Sequence, residues 1–413
     1  MKNNLNIIDL FAGCGGLSDG FKQTGSYNTI ALVEWEKAPC KTLTHRLKDK
    51  WKYKNAENIV LNFDIQRTKE LLNGWKNDEK FGTHIGLKKL VKASGKNVDV
   101  VIGGPPCQAY SIAGRIRDEK GMNDDYRNFL FESYLNVVKE FKPKLFVFEN
   151  VPGILSARPG GISIIERITK NFKDAGYIIS DNLKEDALIH CTEFGVPQAR
   201  KRMVIIGVKK SEVTGDPQEA LKKFYKEILP TYKANKIKTV ADAISDLPKL
   251  YPLNNVETSK GRKFSHKFDT EVINHVPRFH SDRDIEVFEE LTIDIEKKKF
   301  KYATSQSLIE LYYKKTGKKT NVHKYHVLKW DKPSNTIPAH LYKDGLRHIH
   351  PDSKQSRSIT VREAGRLQSF DDDFQFYGSM GDQFKMIGNA VPPQFAKAIG
   401  LAVNEFINKY FKK

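Results

Sequence analysis

At 413 residues, with 39% hydrophobic and 29% charged side chains, the chain is long enough for two or three domains and too rich in core residues for wholesale disorder. Lys and Arg number 69 against 50 Asp and Glu, a formal charge of +19 that makes polyanions, nucleic acid first, the partner to consider. No run approaches the ~18 apolar residues of a membrane span, the N-terminus lacks the apolar length of a signal peptide, and Cys14, Cys40, Cys107 and Cys191 show no CxxC or CxxH spacing, which argues against a zinc site and a disulfide scaffold; a cytoplasmic location is expected.

Up to about residue 210, short β-rich runs alternate with helical patterns, the rhythm of a parallel sheet covered by helices. The first expected strand, Asn6 to Phe11, runs through Asp9 into Ala12-Gly13-Cys14-Gly15-Gly16-Leu17, a glycine turn that lets backbone approach a ligand and opens a helix. It is not a dinucleotide fingerprint, because Gly13-x-Gly15-x-x reaches Ser18, and the Gly-Lys-Ser/Thr of a phosphate loop is missing. Strands over Thr29 to Glu34 and Ile59 to Phe63 deliver Glu34-Trp35 and Asp64 to the places where α/β nucleotide binders hold ribose hydroxyls. Each carboxylate alone reads first as ordinary surface charge; with the glycine turn they outline an adenosine site along the carboxyl edge of the sheet.

Val98 to Ile102 leads into Gly103-Gly104-Pro105-Pro106-Cys107-Gln108, where two prolines fix the direction of the thiol and two glycines permit a sharp bend. A thiol of ordinary pKa, about 8.5, must be shifted or deprotonated on demand to act as a nucleophile. After a helix over Arg127 to Phe141, the strand Lys144 to Phe148 ends on Glu149-Asn150-Val151-Pro152. Partial burial there would raise the carboxyl pKa and suit it to donating a proton; capping the next helix is the plainer alternative. A helix over Ile164 to Ala175 follows, and then Gln198-Ala199-Arg200-Lys201-Arg202 enters the strand Met203 to Val208, with two guanidinium forks at spacing two.

The pattern breaks at Lys209 to Pro217, where a second domain is expected. Within it, Lys297 to Ser356 carries fourteen Lys or Arg against four Asp or Glu, interleaved with Phe300, Tyr302, Tyr312, Tyr313, Tyr325 and Trp330. That mixture suits phosphate contacts with base or sugar packing, although Lys314 to Lys319 alone would be a solvated helical face.

Taken in order, Asp9 to Gly16, Gly104-Pro105-Pro106-Cys107-Gln108, Glu149-Asn150-Val151, Gln198-x-Arg200-x-Arg202, Thr360-Val361-Arg362-Glu363-Ala364 and Gly388-Asn389-Ala390-Val391-Pro392-Pro393 resemble the DNA cytosine-5 methyltransferases of bacterial restriction-modification systems, across the whole chain. The resemblance implies a Rossmann-like S-adenosylmethionine-dependent methyltransferase sheet with helices on both faces, formed by 1–210 and 385–413, and a smaller irregular target-recognition domain, 211–384, with a hinge segment at 357–384. It implies that Phe11, Gly13, Gly15, Leu17, Glu34, Trp35, Asp64, Ile65, Leu130, Asn389 and Val391 hold S-adenosylmethionine, leaving S-adenosylhomocysteine as product, and that no metal takes part. Cys107 matches the nucleophile, Glu149 the carboxylate that grips the cytosine's N3 and amino group, Arg200 and Arg202 the paired active-site arginines, and Gln108 to Arg127, with Gly114 and Gly121, a mobile loop closing over DNA.

The implied reaction moves a methyl group to C5 of a flipped-out cytosine in a specific double-stranded DNA sequence through a covalent Cys107 adduct at C6. A monomer without membrane association, associated with the nucleoid and paired genetically with a restriction endonuclease, is the corresponding expectation. Asn254 to His340 matches no family-wide motif, as suits target recognition. An RNA cytosine methyltransferase on the same fold would carry a Cys-Phe-Thr segment, whereas no cysteine follows Cys191. Intact Cys107, Glu149, Arg200 and Arg202 speak against a noncatalytic DNA-binding regulator, and Ser18 with the Pro-Pro-Cys placement speaks against a nicotinamide oxidoreductase.

Overall fold

The computed structural model describes residues 4–106, 130–343 and 345–412. They form two compact units: residues up to Gly195 with Arg200–Lys236 and Ala390–Lys413, and Val196–Ala199 with Ile237–Asn389.

The first unit is built on β1 (Leu5–Leu10), β2 (Tyr27–Glu34), β3 (Val60–Asn62), a separate hairpin of β4 (Trp75–Asp78) and β5 (Gly82–His84), then β6 (Val100–Gly103), β7 (Leu145–Asn150), β8 (Tyr177–Ile179) and β9 (Leu188–His190). After β10 (Gln198–Ala199), which belongs to the second unit, β11 (Lys201–Lys209) returns to it. The main sheet has the order β3-β2-β1-β6-β7-β11-β8, with β9 also on β11, and helices flank it. β1 lies between β2 and β6, so the strand order reverses there and the carboxyl ends of β1 and β6 open a crevice at the switch point. Near-continuous apolar runs make this possible: Ile7, Ile8, Leu10, Val100, Val101 and Ile102 are all fully buried.

One strand departs from the parallel sheet expected. β11 runs antiparallel to β7, with Met203 opposite Asn150 and Val204 opposite Glu149. An apolar run reads alike in either direction, so the sequence pattern does not fix its orientation. The reversal sets the start of β11, with Arg202, at the edge where β7 ends.

Aromatic packing stiffens this part of the sheet. Phe146 stacks on Phe172 of the helix Ile164–Asp174 at 4.1 Å, and the Tyr134 hydroxyl, from the helix Leu130–Phe141, donates to the Val101 carbonyl at 2.9 Å. A Cβ at Gly207 would stand 2.0 Å from the Phe146 ring, so only glycine fits there.

The helix Pro393–Tyr410 packs on the helix Gly16–Gln23, where a Cβ at Gly20 would meet Ala396 Cβ at 2.4 Å. Tyr27 secures the junction by donating to the Gly400 carbonyl at 2.7 Å. Residues 211–236, expected in the smaller domain, pack with this unit instead: Phe224 meets Phe406 at 5.2 Å, and the Tyr225 hydroxyl accepts from Ile206 N and donates to Val204 O, both at 2.9 Å.

The second unit carries the hairpin Pro252–Ser259/Arg262–His266, the helices Asp282–Glu296 and Ser305–Thr316 around Val287, Phe288, Leu311 and Tyr325, and the helices Val361–Leu367 and Met380–Asn389. Much of its interior is polar. Arg357 makes a buried two-pronged pair with Glu363, both bonds 2.7 Å, and Glu363 also accepts from Thr360 N as the helix cap. His275 bridges Thr360 Oγ1 and Pro248 O, and His266 contacts Gln355 O. Each ring is buried with its nitrogens satisfied, as buried polar groups require. Among the described residues no helix is long and apolar enough to cross a membrane.

Candidate active site

The carboxyl edge of the sheet gathers most of the singled-out residues of the first unit. Phe11, just past β1, adopts a left-handed backbone, φ 58, unusual for a residue with a Cβ and characteristic of strained functional turns. Gly13 and Gly15 continue that turn with φ 55 and 93, and Gly15 caps the helix that holds buried Leu17. Glu34 ties the turn to the end of β2: one carboxylate oxygen accepts from Gly13 N at 2.9 Å, the other from Trp35 N and Glu36 N at 2.8 Å. Burial raises its pKa, and the amides of Glu36 and Gly13 oppose that. Trp35 is 46% exposed, while Asn62 at the end of β3 donates to its carbonyl at 2.8 Å. Asp64 accepts from Gln66 N, and Ile65 is buried behind it.

Asp9, the first residue of the glycine-turn motif, stands at the same edge, although residue type and spacing alone do not mark it. It is 1% exposed on β1, and neither of its carboxylate oxygens has a hydrogen-bond partner. Burial, opposed by Ser18 and reinforced by Glu34, pushes its pKa up to about 7. Its place in the strand that leads into a glycine turn is the signal that could have marked it.

Next along the edge, β6 ends in Gly103-Gly104-Pro105-Pro106. Neither glycine has a positive φ; each makes room for a close neighbour. A Cβ at Gly103 would lie 2.4 Å from the Leu10 carbonyl of β1, and one at Gly104 would lie 2.7 Å from Glu149 Oε2. The first glycine admits the neighbouring strand, and the second admits a carboxylate. Asn150 Nδ2 reaches Pro105 O at 3.5 Å. Cys107 and the segment Gln108 to Arg127 lie outside the described residues.

Glu149 is 8% exposed inside β7, so it caps no helix; Pro152 opens the turn that follows. Burial raises its pKa against the pull of Arg202, whose Nε lies 2.8 Å from Oε1, and of Arg200. Arg200, 2% exposed, donates to the Ala390 carbonyl at 3.0 Å, and burial beside Arg202 pushes its own pKa down to about 9. Through that bond the C-terminal motif joins the edge. Val391 reaches the glycine turn as well, because a Cβ at Gly16 would meet its carbonyl at 2.2 Å. Leu130 is buried at the start of its helix, and Asn389 ends the helix Met380–Asn389 of the second unit. Burial pushes the thiols of Cys14, Cys40 and Cys191 upward, away from reactivity. Among the described residues no group of three or more His, Cys, Asp or Glu is arranged to hold a metal ion.

In the second unit a cavity of about 470 Å³ is walled by Arg262, Arg278, Arg283, Lys318 and Lys343, with Tyr312 and Tyr325 beside them and, among the described residues, Asp284 as the one acidic lining residue. The lysine-rich segment 297–356 supplies part of that wall. Its arginines come from outside the segment, which is why a local charge count passes over them.

The family model described as C-5 cytosine-specific DNA methylase matches residues 5–405. The chain is 34% identical to the type II methyltransferase M.Bpa9945I of Bacillus paralicheniformis, over 97% of this chain and 99% of that protein. It is 32% identical to the type II methyltransferase M.DdeI of Desulfomicrobium norvegicum, over 99% and 89%. A crystal structure of a prophage-encoded protein of E. coli, described as a DNA modification methyltransferase, superposes with a TM-score of 0.60 at 25% identity, covering 98% of this chain and all of that one.

Proposed function

Because the chain belongs to the C-5 cytosine-specific DNA methylase family and is a DNA cytosine-5-methyltransferase of the restriction-modification type, we propose how its residues divide the work. The residues fit an S-adenosylmethionine site. Asp9 offers a buried carboxylate without a hydrogen-bond partner, suited to a positively charged ligand group, and Phe11, Gly13, Gly15, Leu17, Glu34, Trp35, Asp64, Ile65, Leu130 and Val391 would hold the rest. When bound, the cofactor supplies an electrophilic methyl group and leaves as S-adenosylhomocysteine.

Cytosine C5 is too poor a nucleophile to take that methyl unaided. The Cys107 thiolate adds to C6 while Glu149 protonates N3, leaving an electron-rich C5 that takes the methyl group. Loss of the C5 proton, return of the N3 proton to Glu149 and departure of the thiolate restore the aromatic ring. Glu149 suits this work because burial favours its protonated form while Arg202 fixes one oxygen and leaves Oε2 over Gly104. That juxtaposition carries the reading: the carboxylate stands against the backbone three residues before Cys107. The ring faces are closed inside a duplex, so the target base must leave the stack of double-stranded DNA. The cationic cavity of the second unit would hold backbone phosphates. The work would be done in the cytoplasm by a monomer paired with an endonuclease.

A duplex carrying 5-fluorocytosine at the target, with cofactor, tests the chemistry. Fluorine cannot leave as a proton would, so a denaturation-resistant adduct should form and map to Cys107. Methylation without any adduct, or an adduct on Cys14, Cys40 or Cys191, would refute the assignment.

A further inference from the structure

The hairpin β4–β5 has no part in the motifs above, yet it is fastened to two of the loops proposed to hold adenosine. Its root is aromatic: Trp75 stacks on Phe63 at 3.8 Å, Phe81 tilts against Phe63 at 5.1 Å, and Trp75 Nε1 donates to the Phe81 carbonyl at 3.1 Å. Its turn is ordered by Asp78, whose Oδ1 accepts from Lys80 N at 3.0 Å and Phe81 N at 2.9 Å. The other oxygen of Asp78 accepts from Arg67 Nη1 at 2.6 Å, and Arg67 N donates to the Asp64 carbonyl at 3.1 Å. A continuous set of bonds therefore runs from the Asp64 loop into the hairpin turn.

From that turn Lys80 reaches the other loop. Its Nζ lies 5.1 Å from the centroid of the Trp35 ring, over the indole. Trp35 needs such a partner, since its backbone is held by Glu34 and Asn62 while the side chain is 46% exposed. An ammonium over an indole is attracted by the ring's negative face, and the Phe81 ring, whose centroid lies 4.9 Å from the same Nζ, gives Lys80 a second aromatic contact from its own turn.

We infer that Lys80 is a positioning residue for the cofactor: from the β4–β5 turn it holds the Trp35 indole in the orientation that receives the adenosine. This rests on the assignment of Trp35 to the cofactor site. A long, flexible cation on an ordered turn suits the task, because it can follow the ring when ligand enters and still limit its rotamers. Stabilising the free indole in its binding orientation lowers the ordering cost of association, which is how an exposed contact becomes affinity.

Calorimetric titration of the intact protein with S-adenosylhomocysteine reads the effect directly. Lys80→Ala should raise Kd about two- to fivefold, the range for an exposed cation–π contact. Lys80→Arg should restore it, and Lys76→Ala, which removes equal charge from the same hairpin, should leave it unchanged. In turnover the loss should appear in the cofactor KM rather than in kcat. On a Trp35→Leu background, Lys80→Ala should have no further effect. If Trp35→Leu weakens binding but Lys80→Ala does not, or if the two losses add, the role of Lys80 is overturned and the cofactor site stands. If Trp35→Leu leaves Kd unchanged, the placement of adenosine against Trp35 falls and the role of Lys80 with it.

Discussion

Gly103 and Gly104 are adjacent and chemically identical, yet alanine should do different damage at each. At Gly104 the added methyl would sit 2.7 Å from Glu149 Oε2, so the carboxylate must retreat by about 0.7 Å to reach an ordinary 3.4 Å contact. A carboxylate can move that far without unfolding anything, but if Glu149 has the proposed catalytic role, displacement by such a distance costs on the order of 100-fold in rate. At Gly103 the added methyl would sit 2.4 Å from the Leu10 carbonyl, a strand backbone in the middle of the sheet. Overpacking of this kind costs about 1–3 kcal/mol, or several degrees in melting temperature for a unit of this size. Transfer of labelled methyl groups to DNA, thermal melting and S-adenosylhomocysteine binding would be measured on both variants. Gly104→Ala should melt within about 2 °C of the parent and bind ligand normally while kcat drops about 100-fold; Gly103→Ala should melt lower. Near-normal kcat in Gly104→Ala would show that Glu149 is not held where the chemistry needs it.

The second unit should be the acid-sensitive one. Burial lowers the pKa of His266 to about 4 and of His280, His348 and His350 to about 3, so below the ordinary value near 6.5 the unfolded chain takes up protons that the folded unit refuses. Stability is therefore full above pH 6.5 and drains away down to about pH 3; hydrogen exchange should show residues 237–389 opening at a higher pH than the sheet, and simultaneous opening would contradict this. Neutralising Arg262, Lys318 and Lys343 together should flatten the plot of log affinity for DNA against log salt by about 0.9 for each backbone phosphate left without its cation. An unchanged slope would mean that the cavity does not meet the backbone.

The edge of the sheet was legible because its signals are local. A glycine turn after an apolar run, a Pro-Pro-Cys after another and a carboxylate ending a third all mark strand termini, and parallel strands put their termini together. What escaped depends on distant neighbours. The direction of β11 is set by pairing with β7, the requirement for Gly104 by a side chain 45 residues away, and the arginine wall of the cavity by elements outside the lysine-rich segment. Residues 211–236 look like the start of a new domain after the break at Lys209, yet Tyr225 bonds back to β11. Buried histidines in the second unit carry no sequence mark, because a solvated histidine and one locked against a carbonyl are spelled alike.

The clasp of Tyr27 on Gly400 joins residues 373 positions apart. At a synthesis rate of about 5–20 residues per second, the ribosome needs roughly 20–75 s between them. Once β11 ends at Lys209 the nascent sheet has its strands, yet it waits through the rest of that interval for the helix Pro393–Tyr410 that covers Gly20, while the second unit, encoded mostly in between, emerges. A nascent chain stalled before Gly400 would present an open apolar flank for chaperones rather than a working catalyst.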